Sequence, residues 1–142
     1  MSEVKIVDEI QASADRVWNL VKDFGGILKW SAGAIEGVTV EGDGIGAVRT
    51  LSISGGMSLQ EKLEAYDEAS QSFSYSFVGE APLPLDAYYA TLTVRDAGPG
   101  LARVEWSSTF EPRGVPEAQA VAMVEGIYKN GIGGIKQALE GA

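Results

Sequence analysis

Glu61 is the residue in this 142-residue chain best placed by its neighbours to do chemistry. Leu59, Glu61 and Leu63 alternate with Gln60, Lys62 and Glu64, so on a β-strand the first three share one face. If that face lines an interior, Glu61 is a carboxylate on an apolar wall, where an acid is poised to take or give a proton. The structural alternative is that Glu61 pairs with Arg49 on the neighbouring strand or sits on a water cluster. Arg49 carries a planar donor fork and is itself a candidate for a ligand carboxylate. Its sheet face depends on the hairpin register, which a one-residue slip inverts. Phe73, Tyr75 and Phe77 form one stripe, and Tyr88 is the inward tyrosine of the next strand because Ala90 and Leu92 share its face. The hydroxyls of Tyr75 and Tyr88 either complete a core with one hydrogen bond each or orient a carbonyl or phenol of a ligand. Glu61, Tyr75 and Tyr88 are the candidate catalytic set.

Two absences narrow the chemistry. The chain has no cysteine and no histidine, which excludes thiol nucleophiles, zinc–sulfur sites, Ser-His-Asp triads and imidazole acid–base work. No carboxylate run has calcium-loop spacing, so neither a metal nor a cofactor is expected. Eleven basic against twenty acidic residues give a net charge of −9. That balance argues against nucleic acid and anionic membranes, which need a basic face. No apolar stretch reaches membrane-spanning length and no signal peptide is visible, so the expectation is a cytoplasmic chain without membrane insertion.

These residues need elements to hold them. Residues 3–10 alternate as a first strand. Ser13 caps a helix with Val17, Leu20, Val21 and Phe24 at helical spacing, which Gly25-Gly26 ends. A second helical turn holds Ile27, Leu28 and Trp30. Strands follow over 34–41, 46–53, 58–66, around Phe73 to Phe77, 86–95 and 101–110, separated by Gly- and Pro-containing turns. The Gly-x-Gly-x-Gly run at 42–46 lies between two strands and reads as a hairpin turn, not a dinucleotide fingerprint. Beyond Pro116, Val121, Val124, Tyr128, Ile132, Ile135 and Leu139 mark a long helix. No β-α-β alternation occurs. The expectation is a single α+β domain over 1–142, a curved antiparallel sheet of about seven strands wrapped round the C-terminal helix.

The interior between sheet and helix supplies the remaining candidates. Leu51 and Ile53 share the face of Arg49, and Leu59 that of Glu61; Phe77 and Ala90 belong to the aromatic strands. Trp106 shares a face with Val104, Ser108 and Phe110 and is read as inward, while Trp30 is a rim residue and Trp18 core. Gly126, Gly131, Gly133 and Gly134 lie in or near the long helix, where each interior glycine costs about 0.5–1 kcal/mol relative to alanine. One expectation is that these missing side chains, Gly131's among them, leave room for a ligand beside Met123, Ile127 and Tyr128. The other is that the helix kinks there or breaks near residue 130.

Several strings, in order, resemble the helix-grip fold of the START and birch-pollen-allergen superfamily (SRPBCC), in its bacterial polyketide cyclase/dehydrase-type branch. The first runs Ile10, Ala12, Val17-Trp18, Val21, Asp23-Phe24 and Trp30. The second is Gly44 to Arg49 with Glu61-Lys-Leu-Glu64 and Asp67. The third is Pro82-Leu-Pro84, Tyr88, Val104-Glu-Trp106, Phe110 and Pro112. The resemblance implies an apolar cavity for lipids, hormones or aromatic metabolites, in which some members catalyse cyclisation or dehydration. It is also similar to plant abscisic acid receptors, which implies a gate at Ser54–Met57, a latch at Gly79–Pro84, a polar-network role for Glu61, and Glu105 on the inner face. The gate has a second glycine where the receptors carry Leu-Pro, and the latch lacks their histidine, so only the geometry carries over.

Three functions follow as expectations. The first is a carrier or sensor binding a small apolar or aromatic molecule, as monomer or homodimer. The second is a cyclase, dehydratase or isomerase that works without metal or cofactor, by proton transfer at Glu61 with Tyr75 or Tyr88. The third is a module whose loop closes on ligand and presents a surface to another protein.

Overall fold

Alternating apolar residues at 2–10 and 101–112, and a Ser13 cap between them and the rest, set the frame. The computed structural model describes residues 1–31, 33–53, 55–79 and 81–140. The elements are β1 (Ser2–Ile10), α1 (Ala14–Val21), a 3-10 turn (Ile27–Lys29), β2 (Ile35–Glu41), β3 (Val48–Ile53), β4 (Met57–Asp67), β5 (Ser72–Phe77), β6 (Leu85–Gly98), β7 (Leu101–Pro112) and α2 (Glu117–Glu140). The strands form one antiparallel sheet in the order β1-β7-β6-β5-β4-β3-β2. β2 to β7 are successive hairpins, and β1 returns to lie beside β7. The curved seven-stranded sheet and long C-terminal helix are those expected. The glycine-rich 42–46 run is the β2–β3 hairpin turn, with Gly42, Gly44 and Gly46 all at positive φ, where a side chain would be strained.

The second short helix is a single 3-10 turn, and α1 is shorter than its apolar spacing predicts. Ser13 Oγ accepts from the Arg16 N–H at 3.2 Å, as an N-cap should. The helix then stops at Val21 with Lys22 as its C-cap, ahead of Gly25-Gly26. The competitor is Asp23, whose Oδ1 accepts from the Gly25 N–H at 3.2 Å, a local turn that replaces the next helical bond. Phe24 leaves the helix but stays buried.

Two bulges aim the interior side chains. One falls in β4 between Leu63 and Ala65. The other falls in β6 between Asp86 and Tyr89, where Ala87 takes a positive φ of 54°. The extra residue puts both Leu85 and Tyr88 inside, although three positions apart they would face opposite ways on a regular strand. The β1–β7 and β6–β7 registers run unbroken through residues 103–107. Trp106 is therefore inside and Glu105 outside, paired to Lys5 and Arg95; the inner Glu105 implied by the receptor resemblance is overturned.

α2 runs unbroken through Gly131 and Gly134 for 24 residues, so the expected kink or break is absent. Gly131 has a packing reason. A Cβ there would lie 2.6 Å from Trp106 Cζ3 and 3.4 Å from Trp30 Cζ3. The missing side chain admits two indole edges against the helix backbone.

A polar node ties α1 to the β4–β5 turn. Glu68 accepts from buried Trp18 Nε1 at 2.5 Å and from Tyr66 Oη at 2.8 Å. Those two bonds, Tyr66's first, hold the Glu68 carboxyl below its ordinary range. Burial and then Glu68 itself push the Tyr66 hydroxyl up to about 12. A carboxyl depressed on folding adds stability above its unfolded value and loses it as pH falls through the folded value. Thermal melts should therefore separate the wild type from Glu68→Gln at pH 7 and bring them together in acid, as pH falls below the ordinary carboxyl range. A gap that is constant with pH would contradict this.

Candidate functional site

β3 and β4 pair with Arg49 directly opposite Glu61, and the inward face of that hairpin carries Leu51, Ile53 and Leu59 beside them. Both of the Arg49 nitrogens that reach Glu61 converge on one oxygen: Nε donates to Oε1 at 2.8 Å, and Nη2 lies 2.7 Å from the same atom. Nη1 donates to the Phe24 carbonyl at 3.0 Å. The guanidinium sits 4.1 Å from the Phe24 ring centroid and 5.3 Å from that of Tyr75. The two charged side chains are 3% and 7% exposed, so the pair is desolvated and must satisfy itself. Glu61 Oε2 has no hydrogen-bond partner among the described residues.

Three phenols gather near that pair. Trp106 Nε1 donates to Tyr75 Oη at 3.1 Å. The Tyr88 hydroxyl bonds to that of Tyr128 and reaches toward Tyr75 as well. Stacking fixes the rings: Phe77 on Tyr88 at 4.2 Å, Trp106 on Tyr128 at 4.4 Å, with Trp30 edge-on to Trp106 at 5.7 Å. Burial pushes the Tyr75, Tyr88 and Tyr128 hydroxyls above their ordinary value, and the charge of Glu61 adds to each shift. All three keep their protons at neutral pH and act as neutral hydrogen-bonding groups.

Between this cluster and α2 lies a cavity of about 310 Å³, at the lower end of the range of small-molecule sites. Glu61, Arg49, Tyr75 and Tyr88 are in its wall, with Leu51, Ile53, Leu59 and Phe77 from the sheet. Trp30 and Trp106 are also in the wall, with Met123, Ile127 and Gly131 of α2. Two residues expected there are not. Ala90 is fully buried between Tyr75 and Ser108 on its neighbouring strands, and its methyl does not reach past the tyrosine rings. Tyr128 is covered by Trp106 and spends its hydroxyl on Tyr88, so it backs the wall instead of facing the cavity.

The wall also holds residues that sequence reasoning missed: Ile27 and Ser31 around the 3-10 turn, Ala34 and Ile35 entering β2, and Met57, Leu83, Leu85 and Asn130. Asn130 stands three positions after Ile127 on α2, a spacing that could have found it. Its Nδ2 donates to the Ser31 carbonyl at 3.3 Å and ties the helix to the turn. Leu85 was hidden by the β6 bulge. Trp30 Nε1 and Ser31 Oγ are buried without a partner among the described residues. Ser54 of the expected gate and Glu80 of the expected latch lie outside the described residues; Met57 and Leu83, from the same two loops, line the cavity.

A sheet gripping a long helix in this way is the helix-grip fold. The family model described as polyketide cyclase/dehydrase and lipid transport matches residues 1–140, and the chain belongs to that family. Among solved structures, an uncharacterised protein from Bacillus thuringiensis is 29% identical with a TM-score of 0.89, covering 96% of this chain and 98% of that one. The protein XoxI from Bacillus cereus is 29% identical with a TM-score of 0.90, covering 97% and 95%. Norcoclaurine synthase from Thalictrum flavum, in complex with dopamine and hydroxybenzaldehyde, is 18% identical with a TM-score of 0.68, covering 96% and 84%; it shares the fold. No curated protein sequence matches the chain. Among the described residues no helix is long and apolar enough to cross a membrane.

Proposed function

We propose that this protein binds a small apolar or aromatic molecule in the cavity between sheet and α2, as a carrier or sensor. One observation carries the reading: a cavity of about 310 Å³ walled by aliphatic and aromatic side chains, with a single desolvated Arg49–Glu61 pair set into it. Few polar groups on an apolar wall is the pattern of a site that orients a ligand. The family description, which includes lipid transport, and the aromatic ligands of the norcoclaurine synthase complex support it.

The test uses N-phenyl-1-naphthylamine, a neutral dye that brightens in apolar surroundings. Trp30 and Trp106 flank the cavity, so quenching of tryptophan emission reports occupancy independently. Saturable binding is expected, weakened at least about tenfold, or 1.4 kcal/mol, by Met123→Trp, which fills the cavity from the half-buried face of α2. No binding, or equal binding by the variant, would sink the reading.

A second reading has its own observation. Glu61 Oε2 has no partner among the described residues, and the neighbouring tyrosines hold their protons, so one group can accept a proton while another donates. A cyclase, dehydratase or isomerase acting through Glu61 with Tyr75 or Tyr88 would turn over its ligand and lose that turnover in the double variant Glu61→Leu with Arg49→Met, which removes both charges together. A carrier would show no turnover to lose.

A further inference from the structure

We infer that the cavity selects neutral molecules that present a hydrogen-bond donor, a phenol or enol hydroxyl, to Glu61 Oε2, and that it rejects carboxylates, ionised fatty acids included. The inference rests on the cavity being a binding site and deepens that reading.

The argument is an inventory of charge and hydrogen bonds. Arg49 is the only basic residue in the wall among the described residues. Its three nitrogens are engaged, two on Glu61 Oε1 and one on the Phe24 carbonyl. Its flat face is covered by Phe24 and approached by Tyr75. A ligand carboxylate would thus find no cation free to pair with it. It would also enter beside a carboxylate already there, and leave water for an apolar wall, a cost only pairing can offset. Glu61 shows the opposite imbalance: Oε1 takes both Arg49 contacts and Oε2 takes none among the described residues. The unmet charged atom in the wall is therefore an acceptor, while the other unmet groups there, Trp30 Nε1 and Ser31 Oγ, are neutral. A charged acceptor rewards a donor more than a neutral one does. An ammonium ligand gains less than a hydroxyl, because Arg49 already balances the Glu61 charge and its own desolvation goes unrepaid.

The test compares one ring system in different dress: naphthalene, 2-naphthol, 2-naphthoate and 2-naphthylmethylammonium, titrated at pH 7 against the wild-type protein by calorimetry and tryptophan quenching. We expect 2-naphthol to bind about tenfold tighter than naphthalene, and both ions to bind more weakly than 2-naphthol. Glu61→Gln alone strands the Arg49 charge and risks unfolding. The second protein is therefore the double variant Glu61→Leu with Arg49→Met, which keeps volume and removes both charges. It should show no preference for 2-naphthol over naphthalene. If 2-naphthoate or the ammonium matches 2-naphthol in the wild type, or if the double variant keeps the naphthol preference, the inference is overturned. If naphthalene and N-phenyl-1-naphthylamine both fail to bind, the cavity reading itself falls. If they bind without a naphthol preference, only the selectivity does.

Discussion

Glu61→Ala should lower stability by about 3–5 kcal/mol, while Glu61→Leu combined with Arg49→Met should change it little. Removing the carboxylate alone leaves a guanidinium that is 3% exposed, held between Phe24 and Tyr75 and unable to reach water without moving the 23–26 turn that it anchors through the Phe24 carbonyl. In a chain of this length that loss lowers Tm by about 10 °C or more. Removing both partners deletes the desolvation cost together with the attraction, so the two changes are strongly non-additive. Thermal melts of the wild type, Glu61→Ala, Glu61→Leu, Arg49→Met and the double variant check this. A Glu61→Ala protein melting with the wild type would mean that Arg49 escapes to solvent, and the picture of a sealed pair at the cavity end would be wrong.

The helix glycines give the second large effect, and its sign depends on position. Gly131→Ala should destabilise by about 1–3 kcal/mol, the usual cost of overpacking. The new Cβ meets Trp106 Cζ3 at 2.6 Å, and Trp106 cannot retreat, since it stacks on Tyr128 and donates to Tyr75. Gly126→Ala and Gly133→Ala have nothing within 4 Å of the new Cβ. Each should instead stabilise by about 0.5–1 kcal/mol through helix propensity. Denaturant midpoints of the three proteins decide it. If all three alanines stabilise, the close approach of α2 to the indoles is not rigid.

The fold was legible because its signals are local and redundant. Period-two alternation, glycine turns and one long run at helical spacing each named an element, and hairpins between adjacent strands leave little choice of topology. The faces were legible wherever parity ran unbroken: Arg49, Leu51 and Ile53, then Leu59 and Glu61, fell inside as the alternation predicts. Trp106 obeyed its own strand's alternation, against the resemblance that favoured Glu105. Where parity breaks, reading failed. Leu85 and Tyr88 share the interior only because a bulge at Ala87 adds a residue. Ala90 and Tyr128 point the expected way but are screened by neighbouring rings, which is a matter of depth, and depth leaves no mark on a pattern of alternation. Gly131 lines the cavity and also admits two indole edges, and a missing side chain looks the same in sequence whether a ligand or an indole lies beside it. Pairing of Glu61 with Arg49 was one of two open alternatives; the hairpin register, set by turn geometry between β3 and β4, closed it.

Native mass spectrometry of the protein purified from its own host, with identification of whatever denaturation releases, tests the central claim most directly. The cavity reading predicts one small neutral apolar or aromatic compound per chain, lost from Met123→Trp. A protein that comes through empty, and that also fails to take up N-phenyl-1-naphthylamine, would contradict it.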